Sequence, residues 1–153
     1  MGAKEYTVEQ LRQSIGREAG ESDWLAVTQG MIDQFAETTL DRQWIHIDRD
    51  RAAAESPYGK PISHGFLTLS LVSHLSKQAV EVTGDFRMRI NYGLNRVRFP
   101  SAVPAGSRVR AHLMPQRVED FDGGHQITWL ATVELEGGSK PALVAEWIVR
   151  FYR

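Results

Sequence analysis

With 153 residues, 42% of them hydrophobic and 24% charged, the chain reads as one ordinary globular domain spanning 1–153, long enough to bury about two-thirds of its unfolded surface without metals or disulfides. Eighteen basic against nineteen acidic residues give a formal net charge of -1, which argues against a general nucleic-acid binder because neutralising phosphates takes a clear basic excess. The lack of cysteine excludes disulfides, a thiolate nucleophile and the common structural zinc sites.

No stretch approaches the length of a membrane-spanning helix, and the N-terminal residues lack an apolar secretory core, so a soluble, cytoplasmic protein is expected. Met1-Gly2 suggests acylation, but Tyr6 stands where myristoylation needs Ser or Thr. Thr7 is placed to cap a short helix, with Gln10 as its capping-box partner and Leu11 and Ile15 on one face, ended by Gly16 and Gly20. Residues 22–28 suit a short strand. Thr28 then caps a helix over residues 30–39, with Met31, Ile32 and Phe35 inward. Residues 48–55 support one or two helical turns before Ser56-Pro57-Tyr58-Gly59-Lys60-Pro61 stops any helix.

From Gly65 to Val80 apolar residues cover much of the helical circumference, predicting a helix buried on most sides. Strand character dominates afterwards, over residues 86–99, 108–118, 126–136 and 142–152, with turns at Asp122-Gly123-Gly124 and Gly137-Gly138-Ser139 and a bulge or bend at Gly93. Ile127, Trp129, Ala131, Val133 and Leu135 alternate with polar neighbours, as in a half-buried antiparallel strand. The pattern predicts an α+β domain in which an antiparallel sheet packs on the 65–80 helix.

The polar chemistry concentrates between Asp41 and Leu75. Asp41 and His46 are five residues apart, about 140° beyond a full helical turn, so a loop must bring them together. Ser63 and His64 lead into a helix start at Gly65. A carboxylate, an imidazole and a helix N-terminus are the ingredients for proton transfer beside a developing oxyanion. Taken singly, Asp41 reads first as a helix-end or turn aspartate and His46 as a satisfied half-buried histidine; it is their joint placement that points to a catalytic pair. A metal held by His46, His64 and nearby carboxylates matches no standard ligand spacing.

Asp41-Arg42-Gln43-Trp44-Ile45-His46, then Ala52 after five residues, then Ile62-Ser63-His64-Gly65-Phe66-Leu67, resembles the hydratase motif of MaoC-like dehydratases, the (R)-specific enoyl-CoA hydratases of the hot-dog fold. The run from Asn91 to Pro100 resembles their nodulation protein N-like branch. Gln43-Trp44 stands in place of the usual Asn-Pro, and Leu40 stands where Gly commonly precedes the Asp. The resemblance implies a hot-dog fold, an antiparallel sheet wrapped around a long central helix, and a homodimer. It implies reversible addition of water to trans-2-enoyl-CoA, with Asp41, His46 and the Gly65 N–H as catalytic groups. Candidate substrate-binding residues are Ser63, His64, Ser73, Arg96 and Arg98. His64 reads equally as a pocket residue or a cap on a carbonyl, and the two arginines suit either coenzyme A phosphates or a solvated strand face. No metal or redox cofactor is expected, coenzyme A being part of the substrate. The alternatives are a hot-dog thioesterase, disfavoured because residues 66–80 contain no Asp or Glu, and a non-catalytic acyl-binding module.

Overall fold

The computed structural model describes residues 2–153; Met1, considered above with Gly2 for acylation, lies outside them. In chain order the elements are β1 (Lys4–Thr7), α1 (Val8–Gln13), β2 (Gly20–Glu21), β3 (Leu25–Ala26), α2 (Gln29–Thr39), α3 (Trp44–Ile47), α4 (Arg49–Glu55), α5 (Gly65–Ala79), β4 (Val80–Thr83), β5 (Met88–Arg98), β6 (Arg108–Phe121), β7 (Gly124–Leu135) and β8 (Leu143–Tyr152).

The capping box at Thr7 forms as predicted: its hydroxyl accepts from the Gln10 N–H while the Gln10 side chain accepts from the Thr7 N–H. α1 stops at Gln13, so Leu11 is buried while Ile15 lies beyond the helix and stays exposed instead of sharing its face. Of the strand expected over residues 22–28 only Leu25 and Ala26 form one, β3; a second short piece, β2, precedes it at Gly20–Glu21, and both are antiparallel to β6. Glu21 faces His112 and Leu25 faces Val109, four residues advancing against three, and the extra residue breaks the ladder. Ser22 fills the gap by accepting the Ala111 N–H on its hydroxyl at 2.9 Å.

Thr28 caps α2 through the Met31 N–H. Ile32 and Ala36 carry its buried stripe, whereas Met31 and Phe35, expected inward, are only half-buried. The helix ends at Leu40 with φ 65° and ψ 13°, the one positive-φ residue other than glycine among those described. This is the backbone region a glycine takes freely.

α5 departs from expectation. Thr68, Val72, Leu75, Ser76 and Ala79 face the core, but Phe66 is 69% exposed and Leu69 and Leu71 are half-buried, so one side of the helix lacks cover within the chain. The helix stops at Ala79, and Val80 continues into β4, which pairs in parallel with β1.

The main sheet runs β2-β6-β7-β8-β5, with β3 also on β6, and its ladders are antiparallel. Val109, Ala111 and Leu113 of β6, Ile127, Trp129, Ala131 and Val133 of β7, and Leu143, Ala145, Trp147 and Val149 of β8 alternate inward onto α5, so a period-two pattern buries one face of the sheet. Register shifts at Asn91/Gly93 and Leu94/Arg96 bend β5, as Gly93 suggested. β5 is an edge, paired only to β8, and exposes Met88, Ile90, Tyr92 and Leu94. Among the described residues no helix is long and apolar enough to cross a membrane.

Candidate active site

Three segments converge at the N-terminal end of α5. The left-handed turn at Leu40 delivers Asp41, whose N–H reaches the Thr39 hydroxyl at 3.4 Å. The single turn of α3 then presents His46. Gln29 of α2 donates from one amide nitrogen to the His46 carbonyl and to Asp33, both at 2.8 Å, and so ties α3 to α2. The third segment, Pro61 to His64, runs beside α3: the Ile62 N–H donates to the Ile45 carbonyl at 3.0 Å, and the Ile62 carbonyl accepts from His46 Nδ1 at 2.7 Å.

A carbonyl oxygen can only accept, so Nδ1 carries the proton of a neutral His46 and Nε2 is bare. Nε2 takes no hydrogen bond from the described chain, yet it is not sealed from solvent, although the residue as a whole is only 6% exposed. Burial is the main cause that holds the His46 pKa below the ordinary histidine value; the Ile62 carbonyl opposes it, His64 adds to it, and Asp41 opposes it. The residue is thus neutral near pH 7, and its free nitrogen is ready to take a proton.

His64 is 3% exposed and stacks on His46, ring centroids 3.8 Å apart at 22°, with Phe35 on it at 4.9 Å. Its Nε2 donates to the Asp41 carbonyl at 3.0 Å, so His64 caps a carbonyl and also borders the pocket. Ligand-type atoms of Asp41, His46 and His64 lie within 4.8 Å of one another, a spacing that also suits a cation. The stacked rings do not: an imidazole lone pair lies in its ring plane, and a shared ion would have to leave at least one of two near-parallel planes.

Gly65 opens α5, and among the described residues its N–H has no acceptor, as expected for a first-turn donor. A Cβ placed there would approach the Phe99 ring, just past the end of β5, at 3.2 Å. Phe35, Thr39, Asp41, His46, His64, Gly65, Phe66 and Phe99 line a cleft of about 460 Å³. Its aromatic walls were missed from the sequence, although Phe99 stands inside the run from Asn91 to Pro100 that carries the family resemblance.

The other sequence candidates are not gathered here. Ser63 is buried, donating to the His64 carbonyl at 3.0 Å and facing Thr68, in an adjoining hollow behind Gly65. Ser73 lies two turns along α5 in a separate groove with Asn91, Tyr92 and Trp147. Arg96 and Arg98 border a shallow groove beside Glu146, and Arg98 donates to the Val97 carbonyl.

An antiparallel sheet packed on one long helix, with a carboxylate and a bare imidazole beside that helix's N-terminus, defines a hot-dog protein of hydratase type. The chain belongs to the MaoC-like domain family, which matches residues 10–137. It is 50% identical over 146 residues to 3-hydroxyacyl-thioester dehydratase Z of Mycobacterium tuberculosis, covering 95% of each chain. It is 44% identical to nodulation protein N of Rhizobium leguminosarum bv. viciae, covering 94% of this chain and 90% of that one. Among solved structures, the (R)-hydratase from A. caviae involved in PHA biosynthesis superposes with a TM-score of 0.70 at 25% identity, over 88% of this chain and 94% of the other.

Proposed function

We infer that this chain is an (R)-specific hydro-lyase that reversibly adds water to a trans-2-enoyl thioester to give the (3R)-3-hydroxyacyl thioester. The observation that carries the chemistry is the His46 tautomer, pinned by the Ile62 carbonyl so that Nε2 is bare and solvent-accessible beside Asp41 and the Gly65 N–H. The Gly65 N–H donates to the thioester carbonyl, polarising the β-carbon and stabilising enolate charge as it develops. His46 Nε2 takes a proton from the attacking water while its oxygen bonds to the β-carbon; the Asp41 carboxylate orients that water and stabilises the imidazolium. Delivery of a proton to the α-carbon from the same His46–Asp41 pair completes the addition and returns the site to its starting state. The scheme draws on no metal or redox cofactor.

Coenzyme A as the thioester carrier and a homodimer complete the reading. The dimer rests on β5, an unpaired edge with Met88 and Tyr92 each 54% exposed, next to the uncovered side of α5 with Phe66. Sedimentation as a clean monomer at micromolar concentration would remove it. The same reading keeps the enzyme in a reducing cytoplasm, with which a chain free of cysteine is compatible. Crotonyl-CoA is the test substrate. Loss of enoyl absorbance without thiol release supports the hydro-lyase; thiol release points to a thioesterase, and neither signal to a non-catalytic acyl-binding module.

A further inference from the structure

We propose that His64 is a positioning residue, which holds the Asp41 backbone against the His46 ring and so keeps the acid and base groups of the cleft in register. The inference rests on the hydro-lyase reading and changes the place of His64 from a substrate contact to an internal brace.

Two catalytic groups on separate loops need a common anchor. Asp41 is exposed and follows a left-handed, non-glycine turn; its N–H has only the 3.4 Å contact to Thr39, whereas its carbonyl accepts the 3.0 Å bond from His64. The donor belongs to a ring that is itself immobilised, only 3% exposed and clamped between Phe35 and His46. The Asp41 carbonyl dictates which nitrogen holds the His64 proton: Nε2–H donates, and the bare Nδ1 is buried without a partner. That orphaned nitrogen is sealed from the cleft, so the one hydrogen bond of the His64 ring goes to the turn that carries Asp41 and not to the substrate. The face of the same ring sets the plane of His46, whose edge is fixed independently by Ile62. One side chain thus touches both members of the pair, the backbone of one and the ring of the other.

Two variants separate the brace from simple core filling. His64→Phe keeps an aromatic plane and loses the donor; His64→Gln keeps a donor and loses the ring. For crotonyl-CoA hydration, His64→Phe is expected to lower kcat about tenfold with KM within about twofold, and His64→Gln to recover most of that loss, because misplacement of a catalytic group affects turnover before binding. In substrate-free protein, the backbone amide resonances of Asp41 and Arg42 shift in the Phe variant and return toward wild type in the Gln variant. Wild-type kcat in His64→Phe, unmoved Asp41 resonances, or a kcat loss in both variants that merely follows melting temperature would overturn the proposal. The resonances are read without turnover, so a wild-type protein inactive on crotonyl-CoA refutes the hydro-lyase reading alone and leaves the brace to be decided by them.

Discussion

Two histidines, one in the cleft and one on the opposite face of the sheet, show how the same side chain is set to opposite tasks. His46 has no carboxylate bonded to it; a backbone carbonyl takes one nitrogen, a second imidazole lies on its face, and burial leads the causes that push its pKa down. His112 on β6 lies between Glu134 at 2.7 Å and Glu18 at 3.2 Å, within a network that includes Arg110 and Glu21. Burial is the largest single influence on His112 too, but the bonds to Glu134 and Glu18 together overcome it and the pKa is raised. An imidazole that takes up its second proton between two carboxylates has no lone pair to offer. The proposed base is therefore the histidine whose surroundings leave one nitrogen unused.

Removing His46 should break this contrast most visibly. His46→Gln is expected to lower kcat/KM for crotonyl-CoA hydration by at least about a hundredfold, with melting temperature nearly unchanged. Asp41→Asn should do the same, and the double variant should lose little more than either single, because the two act on one water. His112→Gln should leave kcat/KM at the wild-type value.

Gly65→Ala comes next. The nearest neighbour of the added methyl is the Phe99 ring, itself 38% exposed and able to turn aside, while the methyl crowds the approach to the Gly65 N–H. Turnover is expected to fall about tenfold or more, with a small change in melting temperature. A destabilised but fully active variant would place the oxyanion donor elsewhere.

Acid acts on the two histidines with opposite sign. Because the folded pKa of His46 is depressed, its neutral form favours folding above the unfolded value near 6.5, and that contribution is lost as pH falls below it. His112 has the opposite sign: its contribution is complete below its unfolded pKa and disappears as pH rises through the raised folded value. Thermal melts between about pH 5 and 8 should therefore show His46→Gln flattening the acid loss and His112→Gln steepening it. Equal slopes in both variants would contradict the assignment. The smallest effect is expected at Leu40, where Gly should relieve a left-handed side chain and stabilise by about 0.5–1 kcal/mol, read as a modest rise in melting temperature at unchanged activity.

Features written within a few residues of one another are legible in the sequence: the Thr7 box, the Thr28 cap, the hairpin glycines, the Gly93 bulge and the His-Gly helix start. The family motif marks Asp41, His46 and Gly65, and the fold brings them to one cleft. What local pattern does not carry is long-range. The α5 pattern is apolar over much of its circumference, which predicts burial on most sides, yet one flank has no neighbour within the chain. Strand character near residues 22–28 does not reveal that, between Glu21 and Leu25, β6 advances one residue fewer than its partner. Ser73, Arg96 and Arg98 are as eligible by residue type as His64, but Ser73 stands two turns along α5 and the two arginines line a different groove from their neighbour Phe99. Phe99 joins the site through the fold alone, which lays its ring over Gly65 from the far end of β5.

The parallel ladder between β1 and β4 joins Lys4 to Val80 and Thr7 to Thr83, so it closes a loop of half the chain with four residue pairs. Such a contact forms late, after the entropy of that loop has been met, and it has little buried surface to hold it. Its amides should be the first strand amides to exchange with deuterated solvent, opening as a unit while β6, β7 and β8 remain protected. The cleft lies at the other end of α5, about 20 Å away at 1.5 Å per residue. Fraying of β1 away from β4 can therefore proceed without disturbing the cleft that holds His46 and Asp41.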